Sequence, residues 1–300
     1  MAAFFIVAIK LALGLLAFLI IGYVGQFYDR RIAGLLLTFP ILNAVGILTG
    51  ADPFAVADAI SAVVVINGLL FYVLLSYPDF IPRFRWTWNP SLRLLAQLAG
   101  WTFMWLVAAF MVTAFREKLP GAGFFLGLQI VVTVFLTWRN WTPIALGPAA
   151  TLSQRAGGRQ YLRSFLYWAT HNARFRVVLF VITCGVILAV AYFSESKWVG
   201  MVSALPLPGF FALALLIDFA PNPRELYPIR DTVLYGPTMI IVFNWLYAHV
   251  VAGLPEEPHA RLVFGMLAAF VYWTVYASLI FLATPHLARM LDRRAPSERS

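Results

Sequence analysis

Charge is scarce in this chain of 300 residues. Only 12% of them are Asp, Glu, Lys or Arg, whereas a soluble domain carries about 25%. So few charges cannot cover a water-facing surface, which excludes a soluble globular protein and a disordered chain. Cysteine is nearly absent. Cys184 stands alone in an apolar run, which excludes an internal disulfide and a thiolate metal cluster and reads as a small core residue. The four histidines, His171, His249, His259 and His286, are dispersed and form no metal-ligand spacing. Asp52 and Asp218 form no recognisable paired-carboxylate motif. Walker A, HExxH and GxSxG patterns are missing, so an enzyme reading has no motif behind it and no cofactor or metal is expected. The first residues are apolar, without a basic leader or an A-x-A-like site, so a cleaved signal peptide is not expected.

Apolar residues fill the space that charge leaves. The chain is 62% hydrophobic with a mean hydropathy of +0.82. This is the composition of a polytopic helical membrane protein, in which each span needs about 20 apolar residues. Nine candidate spans lie near 3–25, 32–49, 54–78, 93–115, 121–138, 175–194, 198–217, 232–252 and 262–284. Of the 22 basic residues, 17 fall in loops on one side and four on the other, with Lys10 inside the first span. The positive-inside rule then places the N-terminus outside and the C-terminus in the cytoplasm. The net charge of +9 belongs to those loops and gives no reason to expect nucleic acid. The second half of the long cytoplasmic loop 139–174, read as Gln160 to Arg176, mixes Tyr161, Phe165, Leu166, Tyr167 and Trp168 with Arg163, Arg174 and Arg176. Such a segment suits anionic lipid headgroups, although an ordinary connector explains it as well.

The chain repeats itself. One fixed shift sets Lys10 on Arg176, Phe27 on Phe193, Asp29 on Glu195, Arg31 on Lys197, Gly34 on Gly200 and Pro40 on Pro206. A shift two residues longer sets Gly68 on Gly236, Arg93 on Arg261, Trp105 on Trp273 and Ala109 on Ala277. Residues 10–115 and 176–283 therefore read as two copies of a four-helix unit. Five spans separate equivalent helices, and an odd number sets the copies in opposite orientations. The expected organisation is a first four-helix repeat over 1–120, a connector helix and cytoplasmic amphipathic loop over 121–174, a second repeat over 175–285 and a basic tail over 286–300. Inverted repeats are a common plan of secondary transporters, with a site between the halves, but the plan alone does not fix function.

The second helix of each copy carries the most information. The first reads Gly34 to Asn43 through Thr38 and Pro40; the second reads Gly200 to Gly209 through Ser203, Pro206 and Pro208. Proline removes a helix hydrogen bond, and the freed carbonyls must be satisfied by protein or water. Corresponding interrupted segments point to a transport site, and packing kinks are the plainer alternative. Polar residues inside the spans add candidates. Asn43 follows Pro40, and Asn67 sits beside Gly68. Gln97, Trp101 and Trp105 share a helix face. Asn244 and His249 do not share one. Asp58 lies one turn inside the third span, where it reads as a proton or cation site or as a carboxylate favoured by the helix dipole.

The stretch Arg31-Ile-Ala-Gly34-Leu-Leu-Leu-Thr-Phe39-Pro40 resembles the second helix of the GlpM-like small inner-membrane proteins. Trp198 to Pro206 is similar in a degenerate form, with Leu205 in place of the phenylalanine. The resemblance implies a fusion of two four-helix units and names no substrate. The sequence thus leads to an all-α bacterial inner-membrane protein. Its expected function is a secondary transporter or facilitator of a small polar or weakly anionic solute. The path would run past Thr38, Pro40, Asn43, Asp58, Asn67, Gln97, Ser203, Pro206, Gly209 and Asn244. A non-catalytic membrane subunit that scaffolds an unknown protein partner is the alternative, and a lipid-modifying enzyme the third.

Overall fold

The structure is a computed structural model. It describes residues 2–27, 30–37, 43–44, 47–48, 52–77, 90–114, 122–140, 174–193, 205–220, 223–255 and 257–293. All regular structure among the described residues is helical. The helices are α1 (Ala2–Phe27), α2 (Arg30–Leu36), α3 (Pro53–Ser76), α4 (Pro90–Ala114) and α5 (Ala122–Asn140). They are followed by α6 (Arg174–Phe193), α7 (Leu207–Phe219), α8 (Tyr227–Val233), α9 (Tyr235–Ala252) and α10 (Pro258–Asp292). Among the described residues, five helical stretches are long and apolar enough to cross a membrane. They lie in α3, α4, α5, the continuous run Arg224–Ala252, and α10.

Helix ends follow local chemistry. Asp52 caps α3, accepting the backbone N–H groups of Phe54 at 2.9 Å and Ala55 at 3.1 Å. Pro53 follows it at the start of the helix, where a missing N–H costs nothing. The same rule acts at α7. Pro206 is its N-cap and Pro208 lies in the first turn, and the carbonyl of Pro206 accepts the Phe210 N–H at 2.9 Å. These prolines start a helix.

The eighth expected span begins earlier than its hydropathy suggests. A 3-10 turn over Pro223–Leu226 leads into α8, and a turn at Leu234 separates α8 from α9. Pro237 has no N–H, so the carbonyl of Val233 loses its usual helical partner. The neighbouring Leu234 carbonyl accepts Gln129 Nε2 and Thr133 Oγ1 of α5, each at 2.9 Å. Gln129, Thr133 and Thr137 recur every four residues and form the buried polar stripe of α5. Other positions of that helix, including Val131, Val134, Phe135 and Trp138, are exposed and apolar.

At the centre, α3 packs against α9. The two run antiparallel: Phe54 meets His249, Gly68 meets Pro237, and Tyr72 lies under Arg230. Gly68 is required at the crossing, because a Cβ there would collide with the Pro237 ring. α1 packs on α7, α6 and α2. Phe18, Phe180 and Phe211 tie α1, α6 and α7 together, with ring centroids 5.3–6.0 Å apart. α1 and α6 are also antiparallel, since Phe18 meets Phe180 while Leu11 meets Gly185. α4 packs on α3 and α7; α10 packs on α9 and α2. α10 is the most peripheral element, with Val263, Leu267, Phe270, Val271, Leu279 and Leu282 facing outward.

Candidate functional site

Three groups of polar residues are buried in the bundle. The first is the seam between α3 and α9. Pro237 and Asn244 are seven residues apart, two turns of helix, and so share one face of α9. Gly68 and Ser61 are related in the same way on α3. The register that sets Gly68 against Pro237 therefore sets Ser61 opposite Asn244. Both are buried. The Ser61 hydroxyl donates to the Ala57 carbonyl at 2.7 Å and keeps its lone pairs to accept. Asn244 is fully buried, and neither its amide nitrogen nor its oxygen has a hydrogen-bond partner among the described residues. An unpaired buried polar group costs about 1–3 kcal/mol, so such a side chain calls for a polar partner.

The second group belongs to α3 and α4. Asn67 Oδ1 accepts the Trp105 indole N–H at 2.6 Å in a buried site. The face expected of α4 is the one that faces inward: Gln97, Trp101 and Trp105 are all buried. Trp101 and Phe71 both pack on Phe210 of α7, at 6.0 and 5.5 Å. Gln97, one turn from Trp101, lies toward the C-terminal end of α3. Asn244, opposite Ser61, lies toward the N-terminal end. At 1.5 Å per residue, Asn67 stands about 10 Å along the axis from each of them. The amides form a string at successive depths.

α2 and α7 meet beside this string. Gly209 of α7 is buried against the Leu37 carbonyl that ends α2, and a Cβ at Gly209 would lie 2.7 Å from that oxygen. Phe71 closes over the same point. Asn43 is buried in a short helical stretch, and Pro206 is buried at the start of α7. Asp58 is only partly buried, one turn into α3. Thr38, Pro40 and Ser203 lie outside the described residues, as do residues 141–173 of the expected lipid-facing loop over 139–174.

The third group was not singled out from sequence. Arg230 and Asp231 precede the expected span 232–252, yet both are helical and buried in α8. Arg230 Nε and Nη2 donate to Asp231 Oδ1 at 2.9 and 2.6 Å, and Nη2 also donates to the Asn140 carbonyl at 2.7 Å. The guanidinium lies 4.4 Å from the Tyr227 ring centroid, and Asn140 Nδ2 donates to the Tyr72 hydroxyl at 2.6 Å. Alongside, Arg31 binds both oxygens of Asp292 at 2.8 and 3.1 Å. Its own carbonyl accepts the Thr232 hydroxyl at 2.7 Å. Arg30 reaches the carbonyl of Glu225 at 2.9 Å and also its carboxylate. Arg176 pairs with Asp218. These contacts gather the ends of α2, α3, α5, α8 and α10 at one basic end of the bundle.

At the opposite end, His249 behaves as a surface residue. Its Nδ1 lies 2.8 Å from the Trp245 carbonyl, and its ring packs on Trp245 and Phe54. Among the described residues, no cluster of His, Cys, Asp and Glu has the geometry of a metal site. Compared with family models, curated proteins and solved structures, the chain matches none.

Proposed function

We propose that the chain is a secondary transporter or facilitator of a small polar or weakly anionic solute, built from two inverted four-helix copies in nine spans. The observation that carries this reading is Asn244. It is a fully buried amide with no partner among the described residues, on the seam where the two copies cross. A solute that hydrogen-bonds both ends of that amide removes a desolvation cost the protein otherwise bears.

The packing supports the inversion. α3 and α9 are equivalent helices, as are α1 and α6, and each pair runs antiparallel. The contacts also exchange: α4 lies on α3 and α7, and α10 lies on their equivalents, α9 and α2. Sites at the repeat interface are the rule for such folds. The concentration of Arg30, Arg31, Arg139, Arg230, Arg289 and Arg293 at one end supports a cytoplasmic C-terminus and an outer N-terminus. A bacterial inner membrane is the setting that the GlpM-like resemblance implies.

The test is a cysteine scan over residues 36–46 and 202–212, and at Ser61 and Asn244, in a Cys184→Ser background. Labelling by a membrane-impermeant reagent, with the two interrupted helices reached from opposite sides, is the expected result. Uniform protection overturns it. The scaffold reading would then replace transport. The close packing of Gly209 under Phe71 and the exposed apolar length of α10 favour that second reading over an enzyme.

A further inference from the structure

We propose that Arg30–Glu225 and Arg31–Asp292 form the gate that closes the solute path at the basic end; this rests on the transport reading above. Arg30–Glu225 crosses from the first copy to the second, and Arg31–Asp292 ties the first copy to the end of α10, the helix that continues from the second. Arg30 and Arg31 open α2, Glu225 sits in the 3-10 turn before α8, and Asp292 ends α10. α2 is the helix whose last carbonyl meets Gly209, so the pairs clamp the element that borders the path.

The chemistry suits a contact that must open. The Arg31 side chain is 3% exposed, while its partner Asp292 is 35% exposed. A buried ion pair gains little over an apolar contact, because the Coulomb attraction is offset by desolvation. The same balance makes separation inexpensive when water enters, since each charge recovers its hydration. An apolar plug has no such compensation. Removing one partner upsets the balance: Arg31 is then a buried cation lacking this carboxylate, and hydration in an open vestibule is favoured. The other end of the seam between α3 and α9 shows a contact of another kind. There the copies meet through the exposed edge-to-face contact of Phe54 with His249. At the basic end the contact is charged, and in this structure both pairs are formed.

The experiment uses the full chain in oriented vesicles, with Cys184→Ser and the reporter Leu37→Cys. The rate of labelling by an impermeant maleimide is read from each face. Asp292→Asn is expected to raise the rate from the basic face on the order of tenfold and to lower it from the other. Glu225→Gln, at a more exposed pair, acts in the same direction and guards against a misfolded variant. The exchanged pair Arg31→Asp with Asp292→Arg returns the rate toward that of the parent. If the parent labels from the opposite face while neither single variant changes the basic-face rate, the gate is overturned and transport stands. If the reporter is protected from both faces in every background, transport fails and the gate with it.

Discussion

Replacing Asn244 with leucine should stabilise the protein, which is the reverse of most substitutions at a fully buried position. Leucine has the same branched shape and the same number of heavy atoms, so overpacking is small. The change removes two polar groups that have no partner among the described residues. Each costs about 1–3 kcal/mol when buried unpaired. Taking the low end for both gives a gain of about 2 kcal/mol, or roughly 4 °C in Tm for a chain of this size. The assay is thermal unfolding of purified protein in detergent, at one scan rate for both forms. Asn244→Ala separates the contributions: it removes the same amide but leaves a small cavity, so its gain should be smaller than that of leucine. The reasoning predicts a second result. Solutes that raise the Tm of the parent should leave Asn244→Leu unmoved, because the variant has lost the groups that bind them. A fall in Tm for both variants would refute the argument, since it would mean that the amide is already satisfied within the fold.

Other substitutions test the packing. Gly34→Ala should cost about 2 kcal/mol or more, because the new Cβ would meet the Ile229 backbone carbonyl, which cannot swing aside. Gly127→Ala on the open face of α5 has nothing within 4 Å and should raise Tm slightly through helix propensity; the two measured together isolate the close approach. Trp105→Phe should cost about 1–3 kcal/mol by removing the donor to Asn67 Oδ1, and a double-mutant cycle with Asn67→Leu should show coupling between the two. Asp52→Ala should cost about 1 kcal/mol by uncapping α3, seen as faster amide exchange in its first turn.

The sequence makes some of this legible for a physical reason. Lipid selects apolar runs directly, so α3, α4 and α9 coincide closely with the expected spans. Helical periodicity is equally direct. It set Gln97, Trp101 and Trp105 on one face, and the structure buries all three. It separated Asn244 from His249, and the structure buries the first and exposes the second. Proline is less legible, because its effect depends on position. The same ring that breaks a helix interior starts one at the first turn, and only the backbone shows that Pro206 and Pro208 do the latter.

Arg230 and Asp231 mark where hydropathy fails as a guide. A charge counted alone reads as a loop, because its transfer into an apolar medium is prohibitive. The structure instead pairs the two neighbours with one another, gives the guanidinium a backbone carbonyl from α5, and lays it on Tyr227. Each of those partners is invisible to a scale that sums residues one at a time. One of them is 90 residues away in sequence. The same is true of Arg31, whose carboxylate partner lies 261 residues away. The buried charges that hydropathy cannot place are therefore the ones that join segments distant in sequence.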